Sequence, residues 1–235
     1  MTSDEQTRQK RAAAERAVAL VESGMVVGLG AGSTAMFAIE RLGARLARGE
    51  LVDVRCVPAS IGVGAVATRL GIALTTLETN PVIDLTIDGA DEIDPQLSAI
   101  KGGGGALLRE KIIAQASRRE VLVVDASKLS PMLGTKHSVP VEVAPFGWRS
   151  QQRFLESLGA RASLRLSPTG APYRTDQDNH IVDCMFGPIR EPETLARALS
   201  ARAGIVEHGL FLGLATDVLI ADATGVRHET GGERR

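Results

Sequence analysis

The sequence has few aromatic residues and no excess of charge of either sign. Phe, Trp and Tyr make up 3 % of its 235 residues, so few rings are present for stacking on nucleic-acid bases. Lys and Arg number 27 against 28 Asp and Glu, which gives a formal net charge of −1 and indicates no basic surface. The composition therefore argues against a nucleic-acid-binding protein.

Cysteine and long apolar runs are also scarce. Cys56 and Cys184 lie far apart, which suggests neither a disulfide framework nor a Cys-x-x-Cys metal site, and the four histidines lack the spacing of zinc ligands. No apolar run approaches the length of about 20 residues that a membrane-spanning helix needs. Residues 1–16 are polar and contain no signal-peptide core. We therefore expect a cytoplasmic protein with reduced thiols and no membrane contact.

Glycine, in contrast, is abundant, with 25 residues clustered where short apolar runs pass into helical patterns. The spacing predicts strands over 25–29, 51–57, 72–74, 82–87 and 121–124. It predicts helices over 4–22, 35–47, 61–70 and 106–118. Because strands alternate with helices, we expect a mostly parallel sheet with helices on both faces.

The pattern changes near residue 135. Predicted strands and helices then follow in the order β-α-β-β-α, at 139–143, 151–158, 162–166, 179–186 and 192–203. This order is typical of a small α+β domain with antiparallel pairing. Apolar strands at 209–214 and 217–221 are expected to rejoin the first sheet, and the charged residues 228–235 to fray. We predict domains over 1–135 with 205–235 and over 136–204.

A glycine turn, Gly-Leu-Gly-Ala-Gly-Ser-Thr at 28–34, joins a predicted strand to a predicted helix. Its backbone N–H groups and the helix N-terminus suit an anion, and Ser33 and Thr34 add hydroxyl groups. The spacing from Gly30 fits a loose dinucleotide fingerprint, but the next strand ends without the required acidic residue. The turn therefore favours a phosphomonoester over a dinucleotide. The plainer alternative is a turn that needs glycine for its backbone shape.

Five carboxylates lie between Asp84 and Asp94, directly after a buried strand. Asp88 is at the carboxyl end of that strand, where parallel sheets bind ligands, and Asp91 follows a Gly-Ala turn, so both are expected to face one crevice. Paired carboxylates shift each other's pKa and can relay protons, although Mg²⁺ binding is a competing interpretation. Glu92 and Asp94 are expected to be solvated.

Lys101 precedes four consecutive glycines that end at Gly105. Such a run offers unobstructed amides to an oxyanion or a phosphate, and no Gly-Lys-Ser/Thr follows that would make it a Walker A loop. Glu110 lies early in the next helix. It is either a partner of the helix dipole or a general base. Lys128 follows another buried strand. It is either an ordinary surface lysine or a residue that contacts a phosphate or a hydroxyl group at the same edge of the sheet.

Taken together, these residues closely resemble ribose-5-phosphate isomerases of the A type. The matching segments are GLGAGSTA (28–35), SIGVGAVATRLGI (60–72), DLTIDGADEID (84–94), IKGGGGALLREKI (100–112), VVDASKL (123–129) and GIVEHGLFLGLA (204–215). The resemblance implies an α/β fold, with a Rossmann-like, mostly parallel sheet domain and a smaller α+β (ferredoxin-like) lid domain. It also implies a homodimer or homotetramer that interconverts D-ribose 5-phosphate and D-ribulose 5-phosphate without a metal or another cofactor.

The resemblance also implies the roles of individual residues. Glu110 would remove the C2 proton of the open-chain aldose and return it to C1 through a cis-enediolate. Asp88, Asp91 and Lys101 complete the catalytic set, and they are expected to contact the sugar. The remaining expected substrate contacts are Lys10, Ala31, Gly32, Ser33, Thr34, Gly89, Ala90, Gly102, Gly103, Gly104 and Lys128.

One residue departs from the family pattern, and two other functions stay open. The family often has Thr or Ser where this chain has Ala31, so one hydroxyl contact is absent. A non-catalytic sugar-phosphate sensor would be expected to carry a helix-turn-helix and a basic face, and the sequence indicates neither. An amino-sugar phosphate isomerase or a CoA transferase is disfavoured by the pair DGADE and KGGGG. Residues 160–190, which include 173–180, match the family less distinctively and have no predicted function, and His208 is expected to be structural or at an interface.

Overall fold

The computed structural model describes residues 2–231 and divides them into two compact units. The first comprises the residues up to Ala90, Arg109–Lys128 and the residues from Gly213 onward, and the second comprises Asp91–Leu108 and Leu129–Leu212. These bounds differ from the predicted domains because 91–108 and the segments flanking 136–204 pack within the second unit. The lid role of 136–204 stays a prediction.

Six helices and thirteen strands make up the regular structure of the described residues. The helices are α1 (Ser3–Val18), α2 (Ser33–Ala47), α3 (Ile61–Arg69), α4 (Leu107–Ala116), α5 (Trp148–Ser157) and α6 (Pro192–Ser200). The strands are β1 (Val26–Leu29), β2 (Arg55–Pro58), β3 (Ile83–Asp88), β4 (Glu92–Ile93), β5 (Ala99–Ile100), β6 (Ser117–Asp125), β7 (Val139–Val143), β8 (Arg161–Leu164), β9 (His180–Met185), β10 (Ile205–His208), β11 (Leu210–Phe211), β12 (Asp217–Asp222) and β13 (Gly225–Thr230). None of the helices in this part of the chain is long and apolar enough to cross a bilayer.

The first unit is built on a six-stranded sheet in the order β13-β12-β6-β3-β1-β2. All neighbouring pairs are parallel except β12 with β13. Parallel strands are covered on both faces, which explains the continuous apolar runs Val121–Val124 and Val218–Ala221. Ala13, Ala17 and Val18 bury one face of α1 in the same core. The sheet confirms the predicted mostly parallel architecture.

Several predicted elements in the first unit have different ends. The helix predicted to reach residue 22 ends at Val18, and the one predicted to reach 118 gives way to β6 at Ser117. The strand predicted over 51–57 shortens to β2, and the one over 72–74 reduces to a single bridge between Leu74 and Cys56. The prediction that 228–235 fray is wrong for 228–230, which belong to β13, while 232–235 lie outside the described residues.

The Asp217 carboxylate of β12 links its two neighbouring strands, β6 and β13. The Asp217 carboxylate accepts two hydrogen bonds from the Arg119 guanidinium, at 2.8 and 3.2 Å, and one from Nε2 of His228 at 2.7 Å. The Thr216 hydroxyl donates a further bond. Burial by itself would raise the pKa of Asp217, but the bonds from Arg119, Thr216 and His228 outweigh it and hold that pKa below its ordinary value.

We expect Asp217→Asn to remove a pH-dependent part of the stability. A carboxyl whose folded-state pKa is depressed stabilises the fold above its unfolded-state pKa, and this stabilisation is lost as the pH falls through the folded-state value. At pH 7 the variant should therefore lose about 1–2 kcal/mol of unfolding free energy, and the gap should narrow below about pH 4. Urea unfolding across this range measures it, with Glu40→Gln at an exposed position of α2 as control. A difference in unfolding free energy that does not change with pH would show that the stabilisation does not come from the ionised Asp217 carboxylate.

The second unit contains the predicted α+β element order. β7, α5, β8, β9, α6 and β10 follow one another, and the antiparallel sheet has the order β10-β7-β9-β8, a ferredoxin-like arrangement. Leu155 of α5 and Leu199 of α6 are fully buried with Val141 and Val182 of the sheet. A separate three-stranded sheet, β11-β5-β4, belongs to the same unit, so the expectation that the strand at 209–214 rejoins the first sheet is wrong. The predicted fold class is therefore confirmed.

The expectation that Glu92 and Asp94 are solvated is wrong. Glu92 is 0 % exposed, and its carboxylate accepts hydrogen bonds from four successive backbone N–H groups, at 134–137. Asp94 is 8 % exposed and accepts from the N–H groups of Gln96 and Ser98, which closes a tight turn. Both carboxylates therefore organise backbone inside the second unit.

Candidate active site

In the first unit, Asp88 organises the glycine turn that follows β1. Its Oδ1 accepts the N–H of Ala31 at 3.0 Å and that of Gly89 at 2.7 Å, and the side chain is buried. Gly30 must approach closely for this, because an added Cβ would lie 2.2 Å from the Asp88 carboxyl. A carboxylate at the end of one strand thus fixes the turn after its neighbour.

The glycine turn leads directly into the N-terminus of α2. Gly32 precedes the helix with a φ of +97°, a conformation that side chains disfavour, and it leaves the first turn without a side-chain cap. Lys10 of α1 donates a hydrogen bond from Nζ to Oγ of Ser33 at 3.0 Å. Helix N–H groups, a hydroxyl and an ammonium group therefore meet here, which is the chemistry of a phosphate-binding site.

The other predicted residues of this unit lie at the same edge of the sheet. Lys128 ends a single 3₁₀ turn after β6, and the order β6-β3-β1 places that turn beside the end of β3. Glu110 is 5 % exposed in the first turn of α4. Ile113, one turn later, packs on β1, where an added Cβ at Gly28 would lie 2.8 Å from it. Because α4 runs back to the start of β6, its first turn faces the carboxyl edge.

In the second unit, Asp91 and Lys101 flank the glycine run. Oδ2 of Asp91 accepts the Gly103 N–H at 2.8 Å, and a Cβ at Gly103 would lie 2.8 Å from that carboxylate. Lys101 is 2 % exposed. Its backbone N–H donates a hydrogen bond to the carbonyl of Gly209, and its Nζ lies 5.4 Å from the centre of the Phe211 ring. A buried ammonium and a run of peptide N–H groups are the donors that a developing oxyanion requires.

The glycine run also makes contacts that sequence analysis missed. The Arg165 guanidinium donates to the carbonyls of Gly102 and Gly103, at 3.1 and 3.0 Å, and the Tyr173 hydroxyl donates to that of Gly104 at 3.3 Å. No local motif marks these residues, because they lie more than sixty positions from the glycines along the chain.

The predicted site residues therefore form two groups, one in each unit. Lys10, Ser33, Asp88, Glu110 and Lys128 belong to the first, together with the backbone of the glycine turn. Asp91, Lys101 and the glycine run belong to the second. Gly89 and Ala90 are the last two residues before the first crossing between the units, and Gly89 also donates its N–H to Asp88. That Asp88 and Asp91 face one crevice stays a prediction.

Comparison with known proteins identifies the family. The sequence profile of ribose 5-phosphate isomerase A, also described as phosphoriboisomerase A, matches residues 55–225. The chain belongs to the ribose 5-phosphate isomerase A family. A family member from Chloroflexus aurantiacus, ribose-5-phosphate isomerase A, is 57 % identical over 97 % of this chain and 95 % of its own length.

Solved isomerases of this family share the whole fold. A D-ribose-5-phosphate isomerase in complex with phospho-erythronic acid superposes with a TM-score of 0.94 at 36 % identity, covering 98 % of this chain and 100 % of the other. The ribose 5-phosphate isomerase from Plasmodium falciparum gives 0.92 at 38 % identity, covering 95 % and 98 %. The isomerase family is thus matched over both units, and the non-catalytic sensor is not favoured.

Proposed function

We propose that Glu110 is the base with which this chain interconverts D-ribose 5-phosphate and D-ribulose 5-phosphate. Membership of the ribose 5-phosphate isomerase A family supports the reaction. The observation that supports the role is a buried carboxylate at the carboxyl edge of a parallel sheet, where such sheets bind ligands. Asp88 and the phosphate-type turn occupy the same edge.

The reaction is a proton transfer between neighbouring carbons. Glu110 takes the proton from C2 of the open-chain aldose, the C–H electron pair forms the C1–C2 double bond, and the C1 carbonyl oxygen becomes an enediolate oxygen. A proton then passes from the C2 hydroxyl to that oxygen, and Glu110 returns its proton to C1 as the C2 carbonyl forms. Lys101 and the N–H groups of the glycine run stabilise the enediolate. Asp88 and Asp91 assist ring opening and the transfer between the two oxygens.

The phosphate group is assigned to the first turn of α2. Lys10 and Ser33 meet there, Gly32 and Thr34 present backbone N–H groups, and Lys128 adds a second ammonium at the same edge. Ala31 takes part through its backbone, because its N–H is bonded to Asp88. The absence of a Thr or Ser hydroxyl at position 31 is therefore compatible with turnover.

The chain is further proposed to work in the cytoplasm as a homodimer or homotetramer. The family resemblance supports the assembly, and the free thiols of Cys56 and Cys184 agree with the reducing conditions of the cytoplasm. Light scattering on the purified protein measures the copy number directly, as a mass of two or four times 24.8 kDa.

We expect the EDTA-treated protein to form ribulose 5-phosphate from ribose 5-phosphate at an undiminished rate. The residues assigned to the reaction supply both the base and the oxyanion donors, so the proton transfer needs no metal. A coupled or chromatographic assay before and after EDTA treatment measures it. Loss of turnover that Mg²⁺ restores would favour the magnesium interpretation of the carboxylates. A protein that binds the sugar phosphate without turnover would be a sensor.

Phospho-erythronic acid provides an independent probe of the same site. Its carboxylate carries two coplanar oxygens, as the enediolate does, and its phosphate matches that of the substrate. We therefore expect it to compete with ribose 5-phosphate for this chain. Inhibition that does not compete with the substrate would show that phospho-erythronic acid and ribose 5-phosphate bind at different sites, which would contradict the proposal.

A further inference from the structure

The four glycines after Lys101 meet different structural requirements. Gly102 and Gly105 have φ of +95° and +86°, which side chains disfavour, and Gly103 lies against the Asp91 carboxylate. Gly104 has neither constraint, because its φ is not in the left-handed region and no described atom lies within 4 Å of an added Cβ. The structure itself would accept a side chain at position 104. We therefore interpret the glycine as a residue that keeps the adjoining space open for a bound molecule.

The carbonyl groups of the run are held from one side by the segment that sequence analysis left without a function. Arg165 binds the first two carbonyls and Tyr173 binds the carbonyl of Gly104. Asp183 of β9 fixes the guanidinium in turn by accepting two hydrogen bonds, from Nε at 2.9 Å and from Nη2 at 2.5 Å. The centre of the Tyr173 ring lies 5.8 Å from the guanidinium carbon. Arg165 is thus charge-paired and mostly buried, with a side-chain exposure of 16 %.

Holding these carbonyls also sets the direction of the N–H groups. In a trans peptide the carbonyl of one residue and the N–H of the next point in opposite directions. The Gly103 N–H then reaches Asp91, and the Gly105 N–H reaches the carbonyl of Gly102. The Gly104 N–H is opposite the Arg165-bound carbonyl of Gly103, and within residues 2–231 it has no hydrogen-bond acceptor.

We propose that Arg165 is a positioning residue for the isomerisation, which holds the glycine run so that the Gly104 N–H is presented to the substrate oxyanion. The proposal rests on the proposed function, since the oxyanion is the enediolate of that reaction. Asp183 and Tyr173 complete the support. A donor fixed before the reaction stabilises the transition state more than the bound substrate, so its loss acts mainly on kcat.

The test is the kinetics of Arg165→Met and Arg165→Lys. One oxyanion donor contributes about 10²–10³-fold to kcat, so we expect Arg165→Met to lose about 10²-fold, with a change in KM below about threefold. Arg165→Lys, which keeps one charged donor beside Asp183, should lose about tenfold. The matched control is Arg161→Met, an exposed arginine four residues earlier, which should retain the kcat of the wild type.

Two further measurements separate positioning from a general loss of structure. Millimolar guanidinium ion, well below denaturing concentrations, should restore at least about tenfold of the lost kcat in Arg165→Ala and none in Glu110→Gln. In Arg165→Met alone, the Asp183 carboxylate loses its partner, and the double variant Arg165→Met with Asp183→Asn avoids this. The double variant should lose as much kcat as Arg165→Met, and its melting temperature should stay near that of Arg161→Met.

The outcomes are distinct from those for the proposed function. Folded Arg165 variants with the kcat of the wild type would overturn the positioning role, and so would a kcat loss that falls in proportion to thermal stability without guanidinium rescue. Full activity in Glu110→Gln would instead overturn the assignment of the base. Gly104→Ala adds a methyl group that the protein itself has room for, and we expect it to raise KM for the substrate without a change in melting temperature.

Discussion

Glu110→Gln should lower kcat for ribose 5-phosphate by at least about 10³-fold with little change in KM or in melting temperature. An amide fills the same volume in this buried position but does not accept a proton from carbon. General-base catalysis contributes about 10²–10⁴-fold, and a C–H acid of this weakness places the loss in the upper part of that range. Steady-state kinetics in both directions measure it, and exchange of the C2 proton with deuterated solvent measures the proton transfer itself.

The chain offers a matched control for the alternative role of Glu110. Glu193 also lies in the first turn of a helix, α6, but is exposed to solvent. If Glu110 were only a partner of the helix dipole, Glu110→Gln and Glu193→Gln would each cost about 0.3–1 kcal/mol of stability and leave kcat unchanged. Equal kcat values for the two variants would therefore refute the base assignment.

Glu92→Ala should lower the free energy of unfolding by about 3–4 kcal/mol. The carboxylate is fully buried, and the four N–H groups that it binds at 134–137 lie 3.0–3.3 Å from its oxygens. Hydrogen bonds to a charged group contribute more than neutral ones, and each buried donor left without a partner costs about 1–3 kcal/mol. Partial hydration of the vacated space keeps the total below the sum.

Chemical denaturation of Glu92→Ala, Glu92→Gln and a surface control measures this effect. Glu92→Gln keeps one acceptor oxygen and should lose about half as much as Glu92→Ala. Glu156→Ala, on the exposed face of α5, should stay within about 0.5 kcal/mol of the wild type. A Glu92→Ala protein as stable as Glu156→Ala would show that the four amides find other acceptors at no cost.

The sequence carries enough information for the parallel sheet and for the turns in which most of the predicted site residues lie. Apolar runs such as 121–124, alternating with helical patterns, have one physical explanation, which is a strand buried on both faces. The glycine turn at 28–34 is likewise local, because strand, turn and helix N-terminus are contiguous in the chain. Periodicity and turn chemistry over fewer than twenty residues were therefore sufficient.

The failures at Glu92, at β13 and at the contacts of the glycine run share a different cause, since each depends on a partner distant in the chain. Glu92 has the same neighbours as a solvated loop carboxylate, and only the backbone at 134–137 makes it a buried acceptor. β13 has the alternating charges of a free tail, and pairing with β12 makes it a strand. Arg165 and Tyr173 belong to no motif, and their contacts to the glycine run bridge more than sixty residues. Such pairings leave no periodic signal for a single sequence to show.

The hydrogen bond from Ala31 to Asp88 uses an atom that nearly every amino acid carries. Because the turn is held through the backbone N–H, and the small side chain of Ala31 only packs against the edge of the apolar core, other small side chains can stand at position 31 while the turn keeps its shape. Proline is the exception, since it has no N–H to donate. Small side chains can therefore replace one another at position 31 at little structural cost, and the alanine here is one of the residues that the turn accepts.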